Sequence, residues 1–251
     1  MAPTSDSSGP STPVGESPAP QDEETATSVS GGLEGALERL QADGCVAFPT
    51  ETVWGLAASA FSSVAVDRLR AWKGREENQP ISLLVPGSDG LSEMGFEVSS
   101  EALHLIDTFW PGPLTLVLAC TRPFPGGIAR SDGAVGLRCS PHPVAGRLSQ
   151  AAHDLGLGPL TATSLNRTGD PAAQNEAEAR KLCGVRPQDP YLLSAGEVDT
   201  GGGSPSTVLD LTGSEPEILR AGAIPAEKLY SSLALRVSQA TGISASGEQS
   251  E

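Results

Sequence analysis

Short apolar runs alternate with helix-period segments from Leu33 to about Val237, and this alternation most constrains the fold. Cys45–Phe48, Ile81–Val85, Leu114–Ala119, Ala134–Cys139 and Pro159–Thr163 are bounded by Pro, Gly or polar turns, as buried strands are. Tyr191–Leu193, Thr207–Leu211 and Ile218–Arg220 are further short strands. Between them lie amphipathic segments. Leu33–Ala42 is helical, and Ser62 or Ser63 caps a helix running to about Trp72. Ser99 or Ser100 caps one reaching Phe109, and Pro143–Leu155 and Gln174–Leu182 follow. Pro225 opens a last helix at a position where proline is tolerated, running to about Val237. The pattern predicts an α/β domain with helices packed on a twisted sheet.

Aromatic residues make up only 4% of the 251, so Ala, Leu, Val and Ile must build the core. Residues 1–32 are rich in Ser, Pro, Thr and Glu and lack the bulk to offset their ordering entropy. They are expected to form a disordered acidic tail, residues 33–238 the domain, and residues 239–251 a flexible C-terminal tail. No apolar run approaches the ~20 residues of a membrane span. The acidic N-terminus resembles neither a secretory nor a mitochondrial leader, so a cytoplasmic protein is expected. Cys45, Cys120, Cys139 and Cys183 form no close ligand pair, and no metal ligand set is assigned. The net charge of −15 disfavours general nucleic-acid binding but leaves room for a local cationic pocket.

The common nucleotide and hydrolase signatures, GxxxxGK[ST], GxGxxG after a strand and GxSxG, are missing. Hydroxyls, amides and cations stand at strand and helix ends instead, where open α/β sheets bind ligands. Lys73 and Arg75 flank Gly74 just past a helix end. They are placed either to grip one polyphosphate or to complement the helix dipole in solvent. Ser164-Leu165-Asn166 puts two hydrogen-bonding side chains in a turn, for a ligand or as a cap. Arg138 lies within an apolar strand and needs an anion, either a ligand carboxylate or phosphate or an internal Asp or Glu. Ser206 before a strand and Arg220 at the end of another repeat the hydroxyl-plus-cation theme.

These residues stand in blocks that resemble the YrdC family of threonylcarbamoyl-AMP synthases, over about Leu33 to Leu235. PTETVWGLAA is similar to the family's PT[ED]TVYGL, Lys73-Gly74-Arg75 to its KxR and Ser164-Leu165-Asn166 to its SxN. WPGPLTLVL, VGLRCSPHP, STVLDL and ILRAGAI follow in the family's order. The resemblance implies an open, twisted mixed sheet with a concave ligand cavity, of the short single-domain type. It implies a nucleotidyltransferase that turns L-threonine, bicarbonate and ATP, with Mg²⁺, into threonylcarbamoyl-AMP and pyrophosphate. The product serves threonylcarbamoyladenosine modification of tRNA, through downstream tRNA threonylcarbamoyl transferase proteins and with weak tRNA contact.

By the same resemblance, Lys73 and Arg75 are catalytic and hold the ATP phosphates. Gln79, Ser140, Ser164, Asn166, Ser206 and Arg220 are further ATP contacts. Thr52, Thr115, Arg138 and Ser164 hold threonine, with Arg138 on its carboxylate. The chain departs from the family pattern at Trp54 (Tyr), Glu76 (Pro), Gln79 (Asn) and Ala221 (Pro). Glu76 adds a negative charge beside the phosphate clamp. The competing readings are an RNA-binding module without synthase activity and a divergent paralogue with another acyl acceptor. A carbamoyl-transfer domain would bring zinc-finger segments that are absent from this sequence.

Overall fold

The computed structural model describes residues 30–76, 79–194 and 203–241, together with Met1 and Gly196. Most of the expected N-terminal tail, and residues 242–251 of the C-terminal one, lie outside the described residues. The ten strands and six helices run β1 (Ser30–Gly31), α1 (Leu33–Gln41), β2 (Val46–Phe48), β3 (Gly55–Ala57), α2 (Ser63–Lys73), β4 (Ser82–Leu84), α3 (Ser100–Phe109) and β5 (Leu114–Leu118). They continue with β6 (Val135–Arg138), α4 (Pro143–Asp154), β7 (Leu160–Ser164), α5 (Glu176–Leu182), β8 (Tyr191–Leu193), β9 (Thr207–Asp210), β10 (Glu217–Arg220) and α6 (Ala226–Thr241).

All ten strands belong to one mixed sheet, in the order β1-β8-β2-β3-β7-β4-β6-β5-β9-β10. The α/β expectation holds, with two strands more than the sequence pattern shows. β1 is two residues long. β3 follows directly on the polar turn after Phe48 and pairs with both β2 and β7. The final helix runs to Thr241, so residues 239–241 belong to α6 rather than to a flexible tail.

The expected helix caps are in place. Ser62 Oγ accepts from Ala65 N, and Ser99 Oγ accepts from Ala102 N. α2 ends one residue later than expected, at Lys73, with Gly74 in the left-handed conformation (φ 65°) that closes its last turn. Lys73 is therefore a helix residue, and only Arg75 starts the loop.

Strand register separates core from site. Leu83, Leu137, Leu116, Leu209 and Ile218 are successive partners across β4, β6, β5, β9 and β10. Residues opposite one another share a face, and this row packs with α3 and α6 in the largest apolar cluster. One residue further along, Leu84, Arg138, Thr115 and Val208 form the adjacent row, and a bulge after Ile218 sets Arg220, two residues on, opposite Val208. Because side chains alternate along a strand, that row lies on the other face.

Candidate active site

The second row floors a cavity of about 780 Å³, and its four residues and Arg220 all line it. Gly136 keeps the floor low: a Cβ there would come within 2.7 Å of Ser82 Oγ and 3.3 Å of Thr115 Cγ2. The turn between β2 and β3 forms one wall with Thr50, Thr52 and Trp54, and the segment after β7 forms another with Pro171, Ala172 and Gln174. Trp54 N donates to Ala173 O and Leu165 N to Trp54 O, so the two walls are joined.

Four guanidinium groups line the cavity, those of Arg75, Arg130, Arg138 and Arg220. No Asp or Glu is among the described residues that line it. Two of the four are paired from behind. Arg138 Nη2 lies 2.6 Å from Glu51 Oε1 and donates to Thr52 Oγ1 at 2.7 Å. Arg130 pairs with Asp132 and Asp210, which hold its pKa well above the ordinary arginine value.

The other two meet neutral oxygens. Arg75 donates to Gln79 O, Pro80 O and Thr163 Oγ1, and Arg220 donates to Ser206 O and Oγ. Desolvation, then the charges of Arg70 and Arg220, lower the pKa of Arg75; desolvation, then Arg138, lowers that of Arg220. Arg220 as a whole residue is exposed, on the edge strand β10. Such lowering marks positive charge held without a counter-ion, the electrostatic condition of an anion site.

Seven of the eleven residues named from the sequence line this cavity: Thr52, Arg75, Thr115, Arg138, Ser164, Ser206 and Arg220. Thr115 Oγ1 and Ser206 Oγ are 2.8 Å apart. Lys73, Gln79, Ser140 and Asn166 are outside the lining. Lys73 is 3% exposed, and its Nζ donates to Ser164 O, Asn166 O and Asn166 Oδ1. It thereby ties the two motifs together from beneath. Burial, and secondarily Arg75, push its pKa down to about 8. Asn166 also accepts from Ser164 Oγ and donates to Asp170 O. Ser140 Oγ donates to Glu51 Oε2 and accepts from His142 N at the start of α4. Gln79 is exposed, and its carbonyl serves Arg75. Glu76 is exposed and outside the lining.

Glu51 and Arg130 were not singled out from the sequence. The need of Arg138 for an anion was the signal that could have led to Glu51. Arg130 sits in a Pro/Gly loop and carried no such signal. Arg138 Nε and Trp54 Nε1 are buried donors with no partner, on two residues that line the cavity. A buried donor left unmatched is costly, which suits a cavity built to be filled.

Comparisons with known proteins agree with this geometry. The family model Sua5_yciO_yrdC, described as "Telomere recombination", matches residues 38–222. The threonylcarbamoyl-AMP synthase of Pyrococcus abyssi is 35% identical over 73% of this chain, which spans about half (52%) of that protein. The threonylcarbamoyl-AMP synthase of Halorhodospira halophila is 35% identical over 60% of this chain and 77% of its own. The crystal structure of P. abyssi Sua5 complexed with L-threonine superposes with a TM-score of 0.70 at 32% identity, over 80% of this chain and 57% of that one.

Proposed function

The chain belongs to the Sua5/YciO/YrdC family, and from that membership and the cavity's chemistry we propose that it is a threonylcarbamoyl-AMP synthase. The observation that carries this reading is a cavity with four guanidinium groups and, among the described residues, no carboxylate, in a chain of net charge −15. Low-dielectric walls focus such a field onto an anionic ligand. Arg75 and Arg220, which have no counter-ion among the described residues, hold the ATP phosphates. Lys73 adds its charge from beneath the Ser164–Asn166 turn. Arg138 takes the carboxylate of L-threonine, with Thr52 and Thr115 beside it.

The threonine amine adds to the carbon of bicarbonate, and loss of water leaves a carbamate. A carbamate oxygen then attacks the α-phosphorus, the bond to the β-phosphate oxygen breaks, and pyrophosphate leaves. This chemistry asks for no protein nucleophile. Holding three substrates together and neutralising phosphate charge is the protein's part, and positioning alone supplies about 7 kcal/mol or more in favourable cases. Among the described residues no group of three His, Cys, Asp or Glu could hold a metal ion. Brought with the ATP, Mg²⁺ would neutralise its phosphates.

The adenylate passes to tRNA threonylcarbamoyl transferase proteins, with weak tRNA contact at most, in the cytoplasm. No helix among the described residues is long and apolar enough to cross a membrane. The test is product identification. Protein incubated with ATP, Mg²⁺, bicarbonate and L-threonine should yield a species with the mass of threonylcarbamoyl-AMP, and none when bicarbonate is withheld. AMP as the sole nucleotide product in both mixtures would contradict the reading.

A further inference from the structure

The cavity's cations differ in whether they are already neutralised. On the floor, Arg138 is paired with Glu51 at 2.6 Å, and its side chain is 13% exposed. Arg75, half-buried, and Arg220, exposed, bond only to neutral oxygens among the described residues. β7, whose Thr163 accepts from Arg75, and β10 are separated by four strands. Even so, Arg220 is close enough to Arg75 to act on it electrostatically.

Glu51 neutralises Arg138 without using it up. Both bonds of Arg138, to Glu51 and Thr52, leave from one nitrogen, Nη2. Its Nε is buried and unpartnered. Glu51 itself is outside the cavity lining, fixed by Ser140 Oγ on its second oxygen. Arg138 thus keeps hydrogen-bond donors but little net charge, while Arg75 and Arg220 keep theirs.

We propose that Glu51 sorts the substrates by charge, leaving at Arg138 a near-neutral donor set that admits a zwitterionic amino acid and rejects polyphosphate. Glu51 is a positioning residue: it touches no substrate and acts through Arg138. This inference rests on the synthase reading above and extends it to how one cavity keeps its amino-acid and nucleotide substrates apart. Without Glu51, a fully charged Arg138 offers phosphate a further cation, and phosphate competes for the amino-acid position.

The test compares the wild type with Glu51→Gln, which keeps the shape and loses the charge, and with Glu51→Asp, which keeps the charge. Pyrophosphate release is followed against threonine concentration, with inorganic pyrophosphate as inhibitor. In Glu51→Gln the threonine KM should rise about tenfold and the ATP KM change by no more than about twofold, since only the floor loses a charge. Pyrophosphate should become competitive with threonine in that variant, and Glu51→Asp should return the wild-type inhibition pattern. A Glu51→Gln enzyme with an unchanged inhibition pattern, or with both KM values raised together, would overturn the proposal. Should the wild type show no threonine-dependent turnover, the synthase reading fails separately. The sorting proposal is then decided by calorimetric titration with inorganic pyrophosphate alone. Tighter binding or an added site in Glu51→Gln supports it, and identical isotherms refute it. Glu51→Ala carries the same expectations if Glu51→Gln does not fold.

Discussion

Arg138 of β6 and Thr115 of β5 are direct register partners, one residue removed from the paired Leu137 and Leu116. That single step divides the binding face of the sheet from its core face. The row with Arg138 and Thr115 lines the cavity, and Leu83, Leu137, Leu116 and Leu209 of the other row are fully buried. The arrangement makes the floor intolerant of added volume.

Gly136→Val tests this floor. Even a Cβ would crowd Ser82 Oγ and Thr115 Cγ2, so the larger side chain must displace both or fill the cavity. Activity is expected to fall at least ~100-fold, the scale on which small misplacements act. Far-ultraviolet circular dichroism should remain that of the wild type. Wild-type turnover in Gly136→Val would mean that substrates do not lie on this row.

Lys73 gives two pH dependences of opposite sign. Its pKa falls from 10.5 to about 8 on folding. Between about pH 8 and about 10.5 the unfolded chain therefore holds more protons at this site, and stability should rise with pH through that window. Binding of an anion needs the charged form, so the Lys73 contribution to pyrophosphate affinity, taken as wild type against Lys73→Met, should be full below about pH 8 and be lost above it. Lys73→Met should remove both slopes. It also leaves two backbone carbonyls without their donor, at a cost of about 1–3 kcal/mol. Denaturant melts and calorimetry across this range check each slope separately.

Arg75→Ala and Arg220→Ala should each weaken ATP binding about 10- to 100-fold, the range of a charge-assisted hydrogen bond lost from a dry site. At ligand concentrations of ~100 Kd, binding adds about 2.7 kcal/mol to stability, so both variants should lose most of the thermal shift that Mg-ATP gives the wild type. An undiminished shift would remove these two arginines from the phosphate site.

Ser99→Ala is the converse case. It removes the oxygen that accepts from Ala102 N at the start of α3, on a residue that does not line the cavity. Stability should drop by about 1 kcal/mol, with KM and kcat unchanged. Equilibrium unfolding beside steady-state kinetics would separate the two.

Local signals carried most of this architecture. The caps Ser62 and Ser99 are side chain to backbone contacts three residues apart, and such contacts are visible in a linear sequence. β3 was not visible, because Gly55-Leu56-Ala57 has no strand-forming bulk and is extended only through its pairing with β2 and β7. The site divides in the same way. Arg138 was conspicuous as a charge within an apolar strand, whereas its partner Glu51, 87 residues earlier, looked like one more turn carboxylate. The drawing back of Lys73 beneath Ser164 and Asn166 depends on contacts more than 90 residues apart, which no spacing rule encodes.

Pyrophosphate release from ATP, measured with L-threonine and bicarbonate each present or withheld, bears most directly on the central claim. Release is expected only when both are present, and it should be abolished in Arg138→Ala. Release that persists without threonine, or that Arg138→Ala leaves intact, would contradict the assignment of this cavity to threonylcarbamoyl-AMP synthesis.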